Sequence, residues 1–148
     1  MTVSAKHTEG LDRLLELVVL INDDMTRSLA RDGLTASRAH VIWELRQNGA
    51  MTQKALADAM RVSARNVTGL VDSLVATGFV TREPHPTDRR ATLVSFTEHG
   101  TKIAKTLEDG QQEFAELLFS GIPAEEVDGF VDTMDEILSR LRGALERS

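Results

Sequence analysis

The sequence predicts a mainly α-helical fold carrying one small β-hairpin, and three observations predict it. Apolar residues recur at three- and four-residue spacing through most of the 148 residues, the signature of helices with one buried face. That spacing gives way once, between Phe79 and Phe96, to an alternation with period two. Two short helical stretches in the middle are separated only by Arg61-Val62-Ser63, a break too tight for anything but a turn.

Each element has its own signal. Leu11, Leu14, Leu15, Val18, Val19, Asn22, Met25 and Leu29 line one face of a long first helix over residues 9–31, ended by Gly33. Thr35 or Ser37 caps a second helix carrying Val41, Ile42 and Leu45, closed near Asn48-Gly49. Thr52 opens a short third helix with Ala55, Leu56, Ala59 and Met60 inward. Ser63 caps the fourth, whose apolar side is Val67, Leu70, Val71, Leu74 and Val75. Its other side carries Arg65, Asn66, Thr68, Gly69, Asp72 and Ser73. Gly78 ends that helix, and residues 79–82 and 91–96 read as strands. Residues 83–90, with Pro84, Pro86 and the Arg89-Arg90 pair, read as a projecting loop too proline-rich for strand. Thr97 caps a fifth helix with Ile103, Ala104, Leu107, Phe114, Leu117, Leu118 and Phe119 as its apolar members. After Gly121-Ile122, Pro123 suits the first turn of a sixth, where Glu125 and Glu126 complement the helix dipole. Its stripe of Val127, Phe130, Val131, Met134, Ile137, Leu138, Leu141 and Leu145 needs a partner surface.

Composition removes several function classes. With no cysteine, disulfides, zinc-thiolate sites and thiol nucleophiles are excluded. There is no apolar run long enough to span a bilayer and the opening residues are polar, so a cytoplasmic protein is expected. His7, His40, His85 and His99 are scattered without metal-ligand spacing, and no Gly-rich phosphate loop or GxSxG is present. Neither an enzyme, a metal site nor a cofactor is expected. The net charge of -6 hides a division. Residues 51–105 carry eight Lys/Arg against five Asp/Glu, whereas residues 106–148 carry three against eleven. A basic middle beside an acidic end suits a molecule that offers one face to a polyanion.

Two short helices joined by a tight turn, the second with a polar outer face, followed by a β-hairpin, describe a winged helix-turn-helix lobe. The major groove of double-stranded DNA admits such a helix, and arginines on the adjoining hairpin reach phosphates or a minor groove. The most distinctive residues run from Val62 to Leu74, then Gly78-Phe79-Val80, Asp88-Arg89-Arg90-Ala91 and Thr97-Glu98-His99-Gly100. In this ordered set the sequence resembles the MarR family of bacterial transcriptional regulators, over essentially its whole length. The resemblance implies a single domain in which residues 35–96 form the DNA-binding lobe and residues 9–33 and 97–146 the dimerisation helices of a homodimer. It also implies repression at near-palindromic operators, relieved by a small molecule. Gly69 stands where the family often has arginine, and the lack of cysteine excludes its peroxide-sensing branch.

Arg65, Asn66 and Thr68, with Ser63, Gly69 and Ser73 on the same helix, are the candidates for base edges and nearby phosphates. Asn pairs bidentately with adenine and Arg with guanine. Arg90 is expected in a minor groove, with Asp88 orienting one of the pair Arg89 and Arg90 through a bidentate contact. Arg38, Gln53 and Lys54, near helix starts, suit phosphate contacts. Trp43 reads either as a core or interface aromatic or, with His40 and Met25, as the wall of a pocket for a small aromatic or amphipathic effector. A rival for the whole chain is a winged lobe that has lost DNA binding and serves as a protein-interaction module.

Overall fold

A computed structural model describes residues 3–148. In chain order the elements are α1 (Val3–Arg31), α2 (Ala36–Asn48), β1 (Met51–Thr52), α3 (Gln53–Met60), α4 (Ala64–Ala76), β2 (Val80–Pro84), β3 (Thr92–Phe96), α5 (Glu98–Phe119) and α6 (Ala124–Glu146). The six helices and small antiparallel sheet are those the sequence predicts, with corrections of detail. No described helix is long and apolar enough to cross a membrane.

The chain divides into two units, residues 1–106 and 107–148. The buried core lies in the first. Val41, Ile42 and Leu45 of α2, Leu56 of α3, Val67, Val71 and Leu74 of α4, and Val80 and Val94 of the sheet are almost wholly removed from solvent. Side-chain caps set where three of these helices start: Thr35 Oγ1 accepts from the Arg38 amide (3.3 Å), Thr52 Oγ1 from Ala55 (3.1 Å) and Ser63 Oγ from Asn66 (3.0 Å). Each occupies one of the amides that a helix start leaves without an intrahelical partner. Between α3 and α4 the turn is made by Arg61 in the left-handed region (φ 55°), its amide and that of Val62 returning to Asp58 and Ala57. In the second unit the Phe119 and Phe130 rings meet at 5.6 Å.

Five details differ from the expectations, and one alternative is settled. The first helix begins at Val3, six residues before Glu9. Thr35, not Ser37, supplies the cap of α2. In α3 the residue buried beside Leu56 is Ala57, while Ala59 is exposed; eight residues make barely two turns, so apolar spacing there does not define a face. Val75, expected inward, is 39% exposed at the end of α4. The hairpin is one part of a three-stranded sheet in the order β1-β3-β2, with Met51 and Thr52 opposite Val94 and Leu93. Strand β2 also runs on through Glu83 and Pro84, opposite Leu93 and Thr92. Its place at the sheet edge explains why proline is admitted, since an edge strand has one side with no ladder bond to make.

A large apolar surface remains uncovered. Leu15, Val18, Val19 and Leu20 of α1 are each more than half exposed. On α6 no residue is buried, and Leu141 and Leu145 are 55% and 66% exposed.

Candidate nucleic-acid interface

The α4 helix is held by one side only. Val67, Val71 and Leu74 are buried, and the opposite side presents Arg65, Asn66, Thr68, Gly69 and Asp72 to solvent, with Ser73 half-buried at its margin. Ser63 sits at its N-cap, with its hydroxyl oxygen occupied by the Asn66 amide. Nothing lies within 4 Å of where a Cβ on Gly69 would sit, so this glycine leaves a shallow place on the face rather than relieving a clash.

The wing loop is shaped by its own side chains. His85 Nδ1 accepts from the amides of Thr87 (3.2 Å) and Asp88 (3.1 Å). Asp88 Oδ1 accepts from the backbone amide of Arg90 (3.0 Å). The Asp88 carboxylate, expected to grip an arginine fork, here bonds to the chain, as in an Asx turn. The Arg89 and Arg90 side chains are exposed on the loop so formed.

Residues distant in sequence meet beside this loop. Thr52, Gln53 and Lys54 at the start of α3 line a cleft of about 390 Å³ with Asp88, Arg90, Ala91 and Thr92. Lys54 and Arg90 therefore place two positive charges at one concavity with a single carboxylate, while Arg65 and Asn66 lie at the N-terminal end of α4. Arg38 is half-buried on α2.

Sequence reasoning missed Arg82. From β2 its Nε donates to Gln53 Oε1 (2.7 Å), and its Nη2 donates to Asp72 Oδ1 (2.5 Å) and to the Thr68 carbonyl (3.4 Å). Gln53 Nε2 in turn donates to Thr68 Oγ1 (3.4 Å). One guanidinium thus joins the wing to α3 and α4. A signal for it was present: Arg82 has the strand parity of the buried Val80, and an arginine on the inward parity needs acceptors.

His40 and Trp43 come together on α2, their rings 6.3 Å apart and edge-on, with His40 Nε2 3.3 Å from Glu44 Oε1. Trp43 is 46% exposed, which overturns its reading as a core aromatic. Met25 is exposed on α1.

A polar helix face set in a helix-turn-helix with an adjoining basic β-wing defines the class: a winged helix-turn-helix protein. Residues 34–92 match the model of the MarR family. It is 38% identical over 81 residues to an uncharacterised HTH-type transcriptional regulator of Mycobacterium leprae, a match covering 55% of this chain and 57% of that one. The aligned part is thus little more than half of that relative. The multiple antibiotic resistance protein MarR of Salmonella typhimurium is 28% identical over 79% of this chain and 83% of its own. Among solved structures, a mutant MarR from E. coli complexed with operator DNA superposes with a TM-score of 0.69, at 27% identity, over 87% of this chain and 94% of that one. The YusO protein of Bacillus subtilis shares the fold (TM-score 0.77, 20% identity, 94% of this chain and 99% of that one).

Proposed function

We propose that this chain is a sequence-specific, double-stranded-DNA-binding transcriptional regulator that works as a homodimer and represses from near-palindromic operators. The observation that carries the reading is the convergence of the wing loop on α3 beside α4. Lys54 and Arg90 share a cleft, and Arg65, Asn66 and Thr68 are exposed on one helix face. In the proposed complex that face enters a major groove and the loop arginines reach the backbone and the adjoining minor groove, with Arg38, Gln53 and Lys54 on phosphates. The operator-bound E. coli relative supports the same use of the lobe. The exposed apolar faces of α1 and α6 support the dimer, because stripes of this size on a monomer left in water favour association. Release by a small aromatic or amphipathic effector completes the reading. Exposed Trp43 with the His40 edge against it, and Met25, are the proposed contacts, and such a ligand acts only by favouring a state that no longer fits DNA.

Arg90→Ala tests the wing. Binding measured by fluorescence anisotropy across a salt series is expected to weaken on every duplex, with the slope of log affinity against log salt shallower by about one. A slope equal to that of the unsubstituted protein takes the wing off the DNA.

A further inference from the structure

The hydrogen bonds around Arg82 run in one direction, and that direction follows from chemistry. A guanidinium donates and never accepts. The Gln53 atom that meets Arg82 Nε at 2.7 Å is therefore its carbonyl oxygen, which turns the amide NH2 toward Thr68 Oγ1 at 3.4 Å. At the other end, the carbonyl of Ala64 only accepts. The single hydroxyl hydrogen of Thr68 is accordingly committed to it, at 2.9 Å. Asp72 and the Thr68 carbonyl hold the far end of the guanidinium. Two one-way groups, a donor at Arg82 and an acceptor at Ala64, fix the polarity of everything between them.

We propose that Arg82 is a positioning residue for sequence readout, presetting what Gln53 and Thr68 can offer a base edge; this rests on the DNA-binding reading above. With its hydrogen turned back to Ala64, Thr68 presents outward an oxygen lone pair and its γ-methyl. It thus favours the exocyclic amines of adenine or cytosine, or the methyl of thymine, and has nothing to give the O6 and N7 acceptors of guanine. Gln53 has its oxygen occupied by Arg82, so it offers the remaining amide hydrogen, a donor for a phosphate or base acceptor. Without Arg82 the Gln53 amide can turn over and Thr68 can rotate its hydroxyl, and each then accepts either kind of partner. Arg82 itself need not touch DNA: it removes alternatives, which is how discrimination is obtained from residues that otherwise fit several bases.

The test begins with duplexes selected by the unsubstituted protein from a randomised pool. Failure to enrich any sequence overturns the DNA-binding reading itself, and with it this one. Given a selected duplex, Arg82→Lys keeps the charge and loses the planar fork. Its affinity for random DNA and its salt slope are expected to stay within about twofold, while the ratio of selected to random affinity falls about tenfold, chiefly at the base pairs facing Thr68. In a Gln53→Met background the same change is expected to add less than about twofold, because Arg82 acts through the amide. Should Arg82→Lys fail to fold, Asp72→Ala decides, at a carboxylate side chain 61% exposed. Losing a negative charge is expected to raise affinity for every duplex, and losing the anchor to lower discrimination. Equal losses on selected and random DNA, additive effects of the 53 and 82 substitutions, or unchanged discrimination in Asp72→Ala would each overturn the proposal.

Discussion

Gly100→Ala is expected to destabilise the first unit by about 3 kcal/mol, at the upper end of what overpacking costs, and to lower its thermal midpoint by several degrees. A Cβ on residue 100 would lie 1.9 Å from the Phe79 carbonyl oxygen and 3.0 Å from Cδ1 of Phe96. That carbonyl cannot step aside, because it accepts from the Thr97 amide at 3.1 Å and also meets Thr97 Oγ1 at 3.1 Å. The single hydroxyl hydrogen goes to the nearer Gly78 carbonyl (2.6 Å), and the hydroxyl oxygen accepts from the Gly100 amide (3.0 Å). The corner that joins the wing to α5 is therefore built with backbone where a side chain would go. The His99 ring, 4.8 Å from that of Phe79, packs on the same corner. Denaturation followed by circular dichroism checks the expectation, and a midpoint unchanged within a degree would mean that Phe79 and Phe96 yield more easily than the geometry implies.

Leu141→Asp is expected to abolish the proposed dimer while leaving the monomer helical. The side chain is 55% exposed in the single chain, so a carboxylate there stays solvated until a second copy covers it. An unpaired charge buried at an interface costs about 3 to 5 kcal/mol, and in a two-fold symmetric contact the cost is incurred by both copies. Affinity for DNA should fall with the dimer, since two linked lobes hold a duplex far more tightly than one. Sedimentation velocity reads the outcome: a mass near the 16.3 kDa of one chain is expected for the variant and twice that for the parent. A stable Leu141→Asp dimer would place the interface elsewhere.

The frame of the fold was legible because its signals are local. Ser63, Thr52 and Thr97 cap the helices they were expected to cap, and the period-two stretch around Val94 is a strand. What was not legible depends on contacts across the chain. Met51 and Thr52 form a strand only because Leu93 and Val94 lie opposite them, and two residues carry no period of their own. Pro84 enters β2 because the strand is at the sheet edge, which sequence does not state. The polar face of α4 was legible except near its end, where Ser73 is half-buried and Val75 exposed. The role of Arg82 was not, since its partners Gln53 and Asp72 are 29 and 10 positions away. Asp88 shows the converse: a carboxylate beside two arginines invites an ion pair, yet the nearer backbone amide of Arg90 takes it, the usual habit of aspartate in tight turns.

In the proposed complex the α4 face around Arg65 and the wing arginines grip one duplex, and footprinting on a pool-selected duplex tests this most directly. Two lobes of one dimer should protect two patches on a single side of the helix, their centres about 10 base pairs or one turn apart, with minor-groove protection just outside each where Arg90 is placed. Protection spread evenly along the duplex, or a single patch without its symmetry mate, would contradict it.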